Sequence, residues 1–254
     1  MMHELFLASP VKDDFLQQAL AVIGGFCEMR EKHQITRILH YEPNPATKGL
    51  STIKELQRER TLGVPSWIEL HQILSKQPCT VQVRTQIYDS ETEAAKNGQR
   101  VIVPAKRERH LRWTELPDPP SQRLPPYITQ RRILEIIDPR IETLMATNKF
   151  TRTSHIYEYS YHWWHKKTGV EFMLVRTFVP DEPLDPQQVV ALDTVEPLAP
   201  FWMLYVCTLS ESKPEPMQRV QAFLEQIRNE FVGVFEFKVF DRRALDTRVT
   251  GVKP

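Results

Sequence analysis

The stretch His155-Ile156-Tyr157-Glu158-Tyr159-Ser160-Tyr161-His162-Trp163-Trp164-His165, then Lys166-Lys167-Thr168-Gly169, then Val170-Glu171-Phe172-Met173-Leu174-Val175-Arg176-Thr177-Phe178-Val179, decides how this chain folds. In its first arm one parity carries His155, Tyr157, Tyr159, Tyr161, Trp163 and His165, and the other carries Ile156, Glu158, Ser160, His162 and Trp164. Side chains of a strand alternate between two faces, so most of the aromatics share one face. Lys166 to Gly169 turns the chain, with Gly169 free to take a positive φ. The second arm sets Val170, Phe172, Leu174 and Phe178 against Met173, Val175 and Val179. Two β-rich runs around a short turn predict a hairpin. A lone hairpin with this much apolar surface is unstable, so the rest of the chain must supply more sheet.

Composition narrows the function. Charge is balanced, with 33 Lys and Arg against 32 Asp and Glu. A general nucleic-acid binder needs an excess of cations to release counterions, so that class is not expected. Cys27, Cys79 and Cys207 lie far apart without metal-ligand spacing, which predicts reduced thiols in an intracellular protein. No apolar run approaches the roughly 20 residues of a membrane helix. The start has Glu4 and no basic lead into an apolar core, so no secretory signal is expected.

Working outward, His3 to Ala8 predicts a strand. Ser9-Pro10 predicts the cap and first position of a helix whose stripe is Phe15, Leu16, Ala19, Leu20, Ile23, Phe26 and Cys27, weakened at its end by Gly24-Gly25. His33 to Tyr41 predicts a strand and Ser51 to Glu59 a short helix. Ser66-Trp67-Ile68-Glu69 has the form of a capping box, opening a helix with Trp67, Leu70 and Leu74 on one face. Cys79 to Tyr88 alternates apolar and polar residues as a half-buried strand. Residues 89–98 are polar and predict a flexible surface loop. Arg100 to Val103 and Leu111 to Leu116 predict short strands. Proline-rich connections at 117–127 and 180–200 are also expected to be flexible loops. Ile128 to Asp138 fits a helix or a buried strand, and strand is preferred. Phe201 to Leu209 predicts a strand covered on both faces. The stripe Met217, Val220, Phe223, Leu224, Ile227 and Phe231 predicts the last helix, Val234 to Phe240 a final strand, and 242–254 a polar tail.

Strands in succession, without regular helical crossovers, mean an antiparallel sheet. A sheet of this length avoids raw edges best by closing. The expected fold is α+β, mainly β: a single closed antiparallel β-barrel domain spanning 1–254 with a few peripheral helices.

Catalytic patterns are sparse. There is no dinucleotide or phosphate-loop glycine motif, no H-E-x-x-H and no nucleophile elbow. His162 and His165 are three apart on a strand, so they point to opposite faces and do not converge on a metal. Cys79 starts an inward parity, where a thiol behaves as a small hydrophobe. A barrel invites one enzyme reading, a triphosphate tunnel metalloenzyme, which needs alternating inward glutamates for a divalent cation. The only E-x-E, Glu91-Thr92-Glu93, lies in the predicted loop, and Glu158, Glu171 and Glu236 are single carboxylates on separate strands. The hairpin aromatics with Arg84, Lys106, Arg107, Arg109 and Arg112 could form a base-stacking path, but aromatics on one parity are more often core or interface.

Several stretches resemble one family, subunit 18 of the Mediator complex in its filamentous-fungal form. They are His3-Glu4-Leu5-Phe6-Leu7, Thr36-Arg37-Ile38-Leu39-His40-Tyr41, Trp67-Ile68-Glu69-Leu70-His71, Leu111-Arg112-Trp113-Thr114-Glu115-Leu116-Pro117-Asp118-Pro119-Pro120, Thr129-Gln130-Arg131, Gly233-Val234-Phe235-Glu236-Phe237, Asp241-Arg242 and Asp246-Thr247-Arg248-Val249. The resemblance implies a single-domain barrel similar in architecture to RNA triphosphatases, yet without catalysis, cofactor or metal. It implies a structural subunit of the nuclear Mediator head module, a coactivator between regulators and the RNA polymerase II machinery. It implies pairing with Mediator subunit 20 and with the C-terminal helix of subunit 8, besides other head-module subunits, and neither a membrane nor a specific nucleic acid. For a partner helix, Tyr157, Tyr159, Tyr161 and Trp163 are the candidate contact residues, because Tyr and Trp combine large area with a polar handle. Whether their face turns toward the barrel core or toward a partner is left open by the sequence.

Overall fold

Eight strands of the computed structural model are β1 (Met2–Lys12), β2 (Lys32–Glu42), β3 (Val81–Ile87), β4 (Arg109–Thr114), β5 (Thr129–Ile137), β6 (Thr151–Trp164), β7 (Glu171–Phe178) and β8 (Phe201–Glu211). They close into a barrel in the order β1-β5-β4-β3-β2-β6-β7-β8, every pair antiparallel. Among the described residues six α-helices join them: α1 (Leu16–Cys27), α2 (Ile53–Leu56), α3 (Val64–Lys76), α4 (Asp89–Lys96), α5 (Ile141–Thr147) and α6 (Pro214–Glu230). The structure describes residues 2–59, 63–104, 106–119, 124–180, 188–239 and 241–249. The predicted mainly-β barrel is therefore the observed architecture.

The hairpin supplies β6 and β7, in the register Tyr157–Phe178 through Trp164–Glu171, with Gly169 at φ +69 in the turn. On its other side β6 pairs with the whole of β2, with a register shift at His40/Tyr41. The ambiguous run 128–138 is a strand, since Ile133, Leu134 and Ile136 are buried between β1 and β4.

Two apolar clusters hold helices against the barrel. In one, Ala19, Ile23 and Cys27 of α1 and Leu224 and Ile227 of α6 pack on Leu5, Leu7, Trp163, Phe172, Leu174, Leu204 and Val206. In the other, Trp67, Leu70 and Leu74 of α3 and Ile141 and Met145 of α5 pack on Val81, Val83, Leu111, Trp113, Leu134 and Ile136. Each such side chain, fully buried, contributes about 1.5–3 kcal/mol relative to exposure. Trp67 also donates from Nε1 to Asp138 Oδ2 at 3.0 Å, which pins α3 to the end of β5.

Several expectations are corrected. Ser9 and Pro10 do not open α1; they continue β1, opposite Leu204 and Met203 of β8. β5 pairs only with Met2–Phe6, so the other edge of β1 is open beyond that point. Ala8 turns its carbonyl to that edge, where it accepts from Lys238 N–H. Pro10 shares its parity, so the N–H that proline lacks would have faced the open side. Ser66 is not a cap either: α3 starts at Val64 with Pro65 in its first turn, where a missing N–H costs nothing.

The predicted loop 89–98 contains α4. Tyr88 N–H donates to Glu91 Oε2 at 2.8 Å, and the Glu and Ala content carries the helix onward. Among the described residues Arg100 to Val103 makes a single bridge, Ile102 with Gln188. The segment 234–239 has the alternation of a strand but no ladder; Phe235 and Phe237 pack on the outer core and only Lys238 bonds to β1. The tail 242–249 is docked on the barrel, and α5 was not anticipated. Parts of the 117–127 and 180–200 connections, and Phe240, lie outside the described residues.

Candidate functional site on the outer barrel face

Helices settle which parity faces outward. All the strand residues beneath α1, α3, α5 and α6 belong to one continuous face, so that face is the outside and the opposite parity lines the lumen. Tyr157, Tyr159, Tyr161 and Trp163 share the outer parity of β6 with Leu39, Ile35 and His33 of the paired β2. The aromatic face therefore looks out of the barrel.

Its two ends are covered by this chain. Trp163 is fully buried under α1, with its Nε1 at 3.7 Å from where a Cβ on Gly24 would lie. Tyr157 is fully buried among Ile35, Ile87, Val103 and Val189, and its hydroxyl donates to Gln188 O at 3.2 Å. Between them Tyr159 and Tyr161 are half-buried. Their rings meet edge to face at 5.5 Å, each contacts Trp202, and their hydroxyls are 3.4 Å apart. Burial, and then the neighbouring Tyr161 hydroxyl, raise the Tyr159 phenol above its ordinary range. The His33 ring packs tilted against Tyr159, with centroids 4.2 Å apart, and approaches Asp89 at 3.4 Å. Trp202 donates to Asp13 Oδ1 at 3.0 Å, and Asp13 pairs with Arg176. What this face leaves to an incoming group is the edge of two tyrosines framed by an ion pair, a surface suited to a protein contact.

The lumen holds paired charges beside an apolar cluster of Phe6, Ala8, Met173, Met203, Tyr205 and Cys207. Glu4 of β1 accepts from Arg112 of β4 at 2.5 Å and from Arg131 of β5 at 2.7 Å. Burial alone would raise the Glu4 carboxyl; the two guanidiniums overcome it and hold the group at about 2. Arg84 of β3 pairs with Glu158 of β6 at 2.7 Å, across β2. His162 sits between Ser160 Oγ and Glu171 Oε1, both at 2.8 Å. His165, beyond the strand end, contacts Thr168 and stacks on Phe26. Triphosphate chemistry would require carboxylates free for a cation. Glu4 and Glu158 are engaged by arginines and Glu171 by His162. Among the described residues no group of three or more His, Cys, Asp or Glu converges as a metal site.

The other candidates disperse. Glu91 binds Arg107 and caps α4, and Glu236 lies exposed on the C-terminal segment. Of the proposed basic path, Arg84 and Arg112 point into the lumen, Arg107 is tied to Glu91, Arg109 is buried against Glu142, and Lys106 is exposed elsewhere. These groups form no strip beside the aromatic face. All three cysteines are buried, and burial pushes the Cys27 thiol up to about 11 and raises Cys79 and Cys207 as well. Among the described residues no helix is long and apolar enough to cross a membrane.

Sequence reasoning missed the lumen network. The signal was the polar parity of each strand, as in Gln82, Arg84 and Gln86, which reads equally well as a solvated face until the sheet closes.

Comparison with known proteins follows this geometry. The family model described as Med18 protein matches residues 3–248. No curated protein matches the chain. Among solved structures, a chain of the Schizosaccharomyces pombe Mediator head module superposes with a TM-score of 0.61 at 11% identity, covering 93% of this chain and 98% of that one. The PH1819 protein from Pyrococcus horikoshii gives a TM-score of 0.47 at 13% identity, covering 96% of each.

Proposed function

This chain belongs to the Med18 family, and on that premise we propose that it is a non-catalytic structural subunit of the Mediator head module, acting in the nucleus as part of a coactivator for RNA polymerase II transcription. The observation that carries the reading is the family match, which runs from β1 to the docked C-terminal segment. The fold shared with a chain of the fission-yeast head module supports it. Engagement of the lumen carboxylates by arginine and histidine side chains favours a scaffold over the triphosphate tunnel metalloenzyme. The whole chain acts as a single barrel domain.

Its partners in this reading are Mediator subunit 20, as a heterodimer, the C-terminal helix of subunit 8, and the other head-module subunits. Tyr159 and Tyr161 are the contact residues on the aromatic face, with Tyr157 and Trp163 supporting them from beneath the chain's own cover. A pull-down from nuclear extract tests the assignment: recovery of head-module subunits is the expected result, and their absence from the eluate refutes it.

A further inference from the structure

The half-buried part of the aromatic face is a band that crosses β2, β6, β7 and β8. Tyr159 of β6 stands in register with Arg176 of β7, and Tyr161 with His33 of β2. Trp202 of β8 lies 5.8 Å from Tyr159 and 5.5 Å from Tyr161, ring centre to ring centre. Rings this close fill the space between them, so an incoming group lies on them rather than among them. A carboxylate stands at each end of the band: Asp13, just after β1, and Asp89, at the start of α4. At the Asp13 end the chain supplies its own cation. The Arg176 guanidinium lies over the Trp202 ring at 5.6 Å and is held by Asp13 at 2.6 and 3.1 Å. A cation on an aromatic face with a carboxylate beside it is thus built once into this surface. The Asp89 end repeats the aromatic and the carboxylate and leaves their outer side to solvent. Asp89 keeps 73% of its side chain exposed, with His33 Nδ1 at 3.4 Å, and the His33 ring packs on Tyr159. The Asp89 charge reaches the phenol: after burial and the Tyr161 hydroxyl, it is the next cause that raises Tyr159 above its ordinary range.

We propose that this band takes a basic side chain, a lysine or arginine of a partner helix, laid on Tyr159 and Tyr161 with its cation beside Asp89. The inference rests on the reading that the aromatic face holds a partner helix, and it adds the charge of the residue that enters. Charge selects the occupant. A lysine or arginine packs its methylene stem on the ring edges, brings its cation over the rings and toward Asp89, and offers N–H donors to the phenol oxygens. A carboxylate in the same place meets the negative faces of the rings and a second carboxylate. An aliphatic side chain covers Asp89 without pairing it, and a charge taken from water without a partner is costly.

Three labelled model helices test the idea by fluorescence anisotropy on the full chain. They share one apolar stripe and differ only in whether the positions flanking it carry Lys, Gln or Glu. The Lys helix is expected to bind at least tenfold tighter than the Glu helix. Asp89→Asn is expected to cut that preference at least threefold. Tyr159→Leu, which keeps apolar area and removes the ring, is expected to cut it as well, with circular dichroism showing that both variants are folded. If no helix binds, if the Gln or Glu helix binds as tightly as the Lys helix, or if neither variant changes the preference, the proposal is wrong. The C-terminal helix of subunit 8 is titrated alongside. Its failure to bind while the Lys helix binds would overturn the partner named for this face and leave the basic site standing.

Discussion

Glu4 on β1 and Arg112 on β4 meet at 2.5 Å inside the barrel, although β5 lies between their strands. Arg131 of β5 completes the group from the other side of the carboxylate. Three staves are thus tied through one buried anion. Removing one member of such a group leaves an uncompensated charge in a low dielectric, which typically costs about 3–5 kcal/mol. Glu4→Ala is expected to destabilise the barrel by that order in urea unfolding, and a loss under 1 kcal/mol would contradict the arrangement.

The same carboxylate sets a pH dependence. Its folded value is about 2 against an ordinary 4.5, so the folded state favours the ionised form. The stabilisation is fully present above the unfolded value and is lost as pH falls from there through the folded value. The difference corresponds to about 3 kcal/mol, at about 1.4 kcal/mol per pH unit. Unfolding free energies measured from about pH 5 down to pH 2 should fall less steeply for Glu4→Gln than for the unaltered chain. Parallel slopes would show that Glu4 is not held in this way.

Gly49 is a second sensitive position. It sits at φ +72, and an added Cβ would lie 2.4 Å from Ser75 Oγ and 2.5 Å from His71 Nδ1. His71 cannot move freely, because its Nδ1 accepts from Leu50 N–H at 2.9 Å. Gly49→Ala combines a left-handed backbone with a steric overlap, so a loss of roughly 1–3 kcal/mol is expected. Thermal melting checks it, and an unchanged midpoint would be the contrary result.

The aromatic face predicts a split between neighbours. Trp163 is fully buried, so Trp163→Ala should cost about 3–5 kcal/mol in stability. Tyr159 is half-buried, so Tyr159→Ala should leave a folded barrel yet weaken binding of the subunit 8 helix by about 2 kcal/mol or more. Calorimetry of each variant, free and with the helix, separates the two effects. Equal loss of stability at both positions would return Tyr159 to a purely structural role.

The staves were legible because their chemistry is local. Alternation in Cys79 to Tyr88 and in the 155–179 arms marks strands wherever one face is buried, and the helical stripes of α1, α3 and α6 show the same logic at their own period. Features that depend on distant partners were not legible. Pro10 looks like a helix start until β1 is seen to have an open edge. Val234 to Phe240 carries a strand's composition, but among its described residues the backbone bond to β1 is the one from Lys238 N–H to Ala8 O. The two-sided question about Tyr157, Tyr159, Tyr161 and Trp163 could be settled only by the helices, since parity alone does not say which face of a closed sheet is outside. The lumen pairs Glu4–Arg112 and Arg84–Glu158 bridge strands that are not neighbours, and no short-range pattern announces them.

For catalysis, incubation of the purified chain with inorganic triphosphate and Mg²⁺ or Mn²⁺ should release no phosphate above background. Turnover abolished by Glu158→Gln would restore the tunnel-enzyme reading.

The most direct test of the structural-subunit account is co-expression of the chain with Mediator subunit 20 and the C-terminal segment of subunit 8, followed by size-exclusion chromatography. The account predicts one peak containing all three chains. Elution of this chain alone, folded and separate from both partners, would contradict it.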